Sequence, residues 1–203
     1  SASNAAGALF SKDDPRRKEV YKDPAHFDSP LSPRGLEQCA ELRTSLSLPE
    51  VELVASSPLT RALQTATGVF SCGRDSRVGL IVLEALREFN SSVFHPCDAR
   101  KRREELELEF PDAYFSGVAP GGDMLLGPGF VESAEIADYR IHWLLAWIRM
   151  RPERSIALVS HGAFLRRLFS VHLEPAGWKV DSAAGSESRF GNVEIRSVQI
   201  AFQ

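Results

Sequence analysis

The chain of 203 residues contains no apolar run near the ~18 residues that crossing a bilayer requires, and no signal-peptide pattern. Cysteine is scarce: Cys39, Cys72 and Cys97 cannot all pair, and none lies in a Cys-x-x-Cys. A disulfide scaffold is thereby excluded, and a reduced, cytoplasmic setting is expected. Charge of one sign is not in excess either. With 24 Lys and Arg against 27 Asp and Glu the formal charge is -3, which excludes a general nucleic-acid or acidic-membrane binder. Repeats and low-complexity stretches are missing, and position 1 is Ser rather than Met. What is present is 43% hydrophobic residues in a length usual for one domain, enough to bury a core without staples.

Ser11 to Pro33 is polar and proline-bearing, and reads as an irregular surface excursion. Pro33 then suits a helix start, with Leu36, Cys39, Ala40, Leu42 and Leu46 on one face. Val51 to Ala55 is a buried-strand pattern that runs through Ser56-Ser57-Pro58 into a helix, LTRALQTATGVF. Leu80 to Leu83 is a second strand. Asn90 to Arg103 reads as loop, followed by an acidic helix ending near Phe110-Pro111, and Ser116 to Gly129 is Gly/Pro-rich loop. Glu132 to Met150 is the longest helical pattern, with Ile136, Tyr139, Leu144, Trp147 and Ile148 near helical spacing. Ile156 to Val159 is a strand leading through Ser160-His161-Gly162 into a helix, AFLRRLFSVHL. Val193 to Phe202 reads as a last strand. Strands alternating with helices predict a three-layer α/β/α sandwich on a mostly parallel sheet.

Two segments share one construction: VELVASSPLTRALQTA and SIALVSHGAFLRRLF each pass from a buried strand through a small polar turn into a helix. In parallel sheets such turns open onto one crevice, where helix N-termini favour anions. His161 stands at one turn. Arg61 falls at the fourth position of the other helix if Ser57 caps it and Pro58 begins it. A guanidinium kept near a helix N-terminus is disfavoured by the dipole, unless an anion is shared between the two. Taken singly, Arg61 is more often a solvated residue paired with a carboxylate, and His161 a structural histidine. On matched turns they point together to a phosphate site. Glu88, after the LIVL strand, could face the same crevice as a general acid, its proton affinity raised by bound phosphate. The plainer reading is a surface Glu paired with Arg87 or another base.

These residues resemble the histidine phosphatase superfamily, the phosphoglycerate-mutase-like proteins. Asp28-Ser-Pro-Leu-Ser-Pro-Arg-Gly35-Leu-Glu-Gln38 is similar to the family's D-x-P-L-T-x-x-G-x-x-Q segment. Ser56-Ser-Pro-Leu-Thr-Arg61-Ala-Leu-Gln-Thr65-Ala resembles S-P-L-x-R-A-x-x-T-A, whose Arg contacts phosphate. Leu86-Arg-Glu88 resembles the L-x-E that supplies the acid, and Val159-Ser-His161-Gly162 the second-histidine motif. Ser1-Ala-Ser-Asn4 is similar to the tail of the R-H-G-E…S-x-x-N signature, with Asn4 at the phosphate-pocket Asn. No Arg-His-Gly occurs in the 203 residues. The resemblance therefore implies one domain over 1–203 that lacks its first strand and nucleophilic turn, a piece of a longer protein rather than natural loss of the nucleophile. Phe94-His-Pro-Cys-Asp-Ala-Arg-Lys-Arg-Arg103 replaces the family's Gly-Trp-Glu-Gly-like stretch and resembles a eukaryotic branch with an H-P-C-D segment. His95 and Cys97 lack partners at zinc spacing. Asp98 reads as a local cap or pair, and Arg100 to Arg103 as a solvated face or an attractor for anionic substrate.

The resemblance implies phosphomonoester hydrolysis through a phosphohistidine, with Asn4, Arg61, His161 and Gly162 on phosphate and Glu88 and His161 in catalysis. No metal or organic cofactor is implied; the partner is a phosphorylated small molecule. Three alternatives stay open: a phosphoglycerate mutase, a non-catalytic phospho-ligand binder or scaffold, and a plain α/β interaction domain.

Overall fold

The computed structural model describes residues 1–11, 13–45, 50–73, 76–90, 95–125, 130–173, 179–181 and 190–200. Its helices are α1 (Ala2–Gly7), α2 (Pro15–Lys22), α3 (Pro33–Ser45), α4 (Thr60–Phe70), α5 (Arg103–Glu109), α6 (Ala134–Arg149) and α7 (Gly162–Arg167). Strands β1 (Leu53–Ser56), β2 (Gly79–Leu83), β3 (Tyr114–Gly117) and β4 (Ile156–Val159) form one parallel sheet in the order β3-β2-β1-β4. Successive strand residues face opposite ways, so a sheet covered on both faces must be apolar throughout. Val54, Leu80, Val82, Ala157 and Val159 accordingly pack under Ala62, Leu63 and Ala66 of α4 and Leu106 of α5. Ala55, Ile81, Leu83 and Leu158 pack on the other side against Ile141 and Leu144 of α6 and Phe164 of α7. These are the three layers that the strand-helix alternation predicts. Outside them α3 rests on α4, where a Cβ added to Gly68 would lie 3.2 Å from the Cβ of Cys39.

Several elements differ from the sequence expectation. Ser11 to Pro33 is not irregular throughout: it holds α2 and a 3-10 turn at Pro24–His26. Asp14 caps Arg16 N at 2.9 Å and Asp23 caps Ala25 N at 2.9 Å, each followed by a first-turn proline. Both Asp-Pro signals stand in the sequence, but the segment has no apolar period to draw attention to them. β3 falls where loop was expected from Ser116, because on this outer strand only Phe115 is buried. The buried face of α6 is Ala137, Ile141 and Leu144, while Ile136 and Tyr139 are exposed. The helix after His161 turns into a π-helical segment over Leu168–Leu173. Near the C-terminus, β5 (Lys179–Asp181) and β6 (Ser197–Gln199) form a separate antiparallel pair; Phe202, the expected strand end, and Leu46 of the α3 face lie outside the described residues.

Candidate active site

Three adjacent strands, β2, β1 and β4, deliver the candidate residues from their carboxyl ends. β1 and β4 stay paired one step beyond the strand, where Ser57 N donates to Val159 O at 2.9 Å. That pairing sets the two turns side by side, and His161 Nε2 is hydrogen-bonded to Ser57 Oγ at 2.8 Å. His161 is 8% exposed. Burial, then the charges of Arg61, Arg87 and Arg140, hold its imidazole well below the ordinary histidine range, so the ring is neutral.

Arg61 is the second residue of α4, not the fourth, since the helix begins at Thr60. Ser57 does not cap it. Its hydroxyl instead accepts from Leu59 N, and the carboxylate of Asp28 accepts from Thr60 N and Thr60 Oγ1, each at 2.8 Å. The carboxylate expected as the plain partner of Arg61 exists, and it is Asp98: Nη2 donates to Asp98 Oδ1 at 2.8 Å, while Nη1 donates to the Cys97 carbonyl. The pair is not solvated, with the two side chains 13% and 12% exposed.

Glu88 does not pair with Arg87. Its Oε1 accepts from Phe89 N at 2.9 Å and from Phe164 N, in the first turn of α7, at 3.1 Å. Burial, then the neighbouring Asp98 charge, pushes this carboxyl above its ordinary range, against the pull of Arg61 and the two amides. Arg61 is therefore within electrostatic reach of both His161 and Glu88. Gly162 opens α7 beside His161, and a Cβ built on it would meet nothing within 4 Å.

Asn4 is exposed on α1, whereas the buried Ser3 of the same turn is hydrogen-bonded through its hydroxyl to Ser1 Oγ at 2.9 Å. The basic run is not one solvated face. Arg100 is buried and bound to Glu84 at 2.7 Å; Lys101 and Arg103 pair with Glu109 and Glu107, leaving Arg102 exposed beside Glu104. His95 meets the Tyr21 ring edge-on at 5.9 Å between centroids. Among the described residues no group of three or more His, Cys, Asp or Glu could hold a metal ion. No helix among them is long and apolar enough to cross a membrane. Sequence reasoning gave Ser57 and Asp98 only local capping or pairing roles and Asp28 none. Their partners lie 104, 37 and 32 residues away, so spacing carried no signal of them.

Buried His161 and half-buried Arg61 and Glu88 thus follow three neighbouring strands of one parallel sheet. The sequence profile of the histidine phosphatase superfamily, branch 1, covers residues 21–196, and the chain belongs to that superfamily. Among its relatives, a phosphoglycerate mutase-like protein of Arabidopsis thaliana is 33% identical over 74% of this chain and 66% of its own length. Phosphoglycerate mutase-like protein 1 of the same plant is 30% identical over 96% of this chain and 78% of its own. Among solved structures, a mycobacterial glucosyl-3-phosphoglycerate phosphatase complexed with VO3 aligns with a TM-score of 0.46 and 21% identity, over 76% of this chain and 74% of that one.

Proposed function

We propose that the site hydrolyses a phosphomonoester of a small molecule through a phosphohistidine. The observation that carries this reading is the convergence of buried His161 with half-buried Arg61 and Glu88 beyond neighbouring strand ends in a chain of this superfamily. Arg61, the His161 ring, the Gly162 backbone and, from the rim, Asn4 hold the phosphoryl oxygens. A dianion there offsets the guanidinium charges that keep His161 neutral, and stabilising charge in the transition state is the main catalytic effect. A histidine nitrogen forms a bond to phosphorus as the ester P–O bond breaks, and Glu88 gives its proton to the departing oxygen. Water then attacks the phosphohistidine, returns a proton to Glu88 and releases phosphate. None of the five histidines of this chain stands in an Arg-His-Gly, so in this reading the nucleophile lies upstream of Ser1.

The full-length protein tests this on a panel of sugar, nucleotide and aryl phosphates. Arg61→Ala and His161→Ala should each lower kcat/KM by roughly 10² or more with circular dichroism unchanged. Wild-type turnover in both variants would remove the site assignment. Phosphate binding without any turnover would instead make the domain a phospho-ligand binder.

A further inference from the structure

Asp98 belongs to a segment bonded both to Arg61 at the start of α4 and to Arg87 after β2, although its residue types suggest only a loop. The Pro96 carbonyl accepts from Asp28 N at 3.2 Å, and Asp28 in turn holds the start of α4, so the segment and the Arg61 backbone are fixed to each other. The Cys97 carbonyl and Asp98 carboxylate take the two terminal nitrogens of Arg61. The Asp98 carbonyl accepts from Arg87 Nη2 at 3.1 Å, which ties the segment to the end of β2 that carries Glu88. Asp98 itself is 9% exposed, and its backbone N–H closes the turn on His95 O at 2.9 Å.

We propose that Asp98 is a positioning residue acting on both sides of the crevice: it aims Arg61 at the phosphoryl group and sets a negative charge beside the Glu88 carboxyl. The proposal rests on the phosphatase reading above. Two of the five N–H donors of Arg61 are spent on Cys97 and Asp98, and a guanidinium is planar, so anchoring two nitrogens fixes where the remaining three point. The charged groups around Glu88 are Asp98 and Arg61, Arg87 beside it in the chain, Arg140 of α6, which donates to the Arg87 carbonyl at 3.0 Å, and Glu132, which pairs with Arg140 at 2.7 Å and accepts from Asn90 N at 3.4 Å. Arg167 of α7 lies over the adjacent Phe89 ring, and His161 is neutral. Of the two carboxylates, Glu132 is held by Arg140 and Asp98 is the one whose charge acts to retain a proton on Glu88, and an acid for a poor leaving group must keep its proton near neutral pH.

Asp98→Asn and Asp98→Ala separate the two effects. Asn keeps an acceptor for Arg61 Nη2 but drops the charge; Ala drops both. In the full-length protein, pH profiles of kcat/KM are compared for an alkyl phosphate, which needs the acid, and p-nitrophenyl phosphate, which needs it little. Inorganic phosphate binding is measured alongside by calorimetry. Activity on the alkyl ester falls as pH rises and Glu88 gives up its proton. Both variants should move that fall to lower pH, cutting the alkyl-to-aryl ratio roughly tenfold near neutrality. Phosphate affinity should hold within about twofold in Asp98→Asn and weaken roughly tenfold in Asp98→Ala. An unchanged alkyl-to-aryl profile in both variants, or equal phosphate affinity in both, overturns the proposal. A wild type that turns over no ester but binds phosphate removes the phosphatase reading, and the affinity comparison still decides whether Asp98 aims Arg61. A wild type that does neither removes both.

Discussion

Asp28 shows how much one buried carboxylate can organise. It stands in the left-handed region at φ 42°, and its two oxygens accept from Thr60 N, Thr60 Oγ1 and Lys101 N. Burial raises its proton affinity, and these donors pull it back. Asp28→Ala therefore leaves the first amide of α4 and the Thr60 hydroxyl without their buried acceptor, in a conformation alanine disfavours. The expected cost is about 1–3 kcal/mol in urea unfolding, with Asp28→Asn milder because Asn accepts and tolerates that backbone. Residue identity at this position was legible as part of a family-like segment; its task was not. A cap supplied from 32 residues away replaces the local Ser57 cap that spacing suggested.

Among the elements, α6 and the stretch following α7 are joined by a single carboxylate. Asp138 accepts from Arg167 Nε at 2.7 Å and Nη2 at 2.6 Å, and its Oδ1 is also bonded to His172 Nε2 at 2.7 Å. The Arg167 bonds, opposed by burial and aided by His172, hold the carboxyl down at about 2. A carboxyl that is more acidic folded than unfolded stabilises the fold above its unfolded value, and that contribution is lost as pH falls through the folded one. Asp138→Asn should thus be less stable than wild type by at most about 1 kcal/mol near neutrality, the pair being partly exposed. The gap should close as pH approaches about 2; a gap that persists there, read from unfolding midpoints, would contradict the assignment. Element type was legible for β1, β2 and β4 from their short apolar runs and for α4 and α6 from helical spacing, although Ile136 and Tyr139 of the expected α6 stripe are exposed. β3 and α2 were missed because one is an outer strand burying a single side chain and the other buries none.

At the scale of the whole molecule, a buried ion network locks the crevice wall to the sheet. Arg87 binds Asp123 through both terminal nitrogens, and Arg100 binds Glu84 at 2.7 Å and the carbonyls of Ala119 and Gly121, each at 2.9 Å. Burial works against the charge on Asp123, but Arg87 outweighs it and keeps the carboxyl below its ordinary range. Asp123→Ala leaves Arg87 buried without its main counter-charge and should cost about 3–5 kcal/mol in denaturant unfolding, as broken buried pairs do. It should also loosen Asp98, whose carbonyl Arg87 holds. The sequence by itself determined the layered α/β architecture and the strand-turn-helix order that carries Arg61 and His161 to neighbouring strand ends. Apolar period and strand-turn-helix order are local properties, and parallel pairing converts them into shared strand ends. Only the tertiary structure decided what holds those residues. Asp28 on Thr60, Asp98 on Arg61 and Ser57 on His161 are contacts across long stretches of chain, specified by how the layers close and not by any spacing along the sequence.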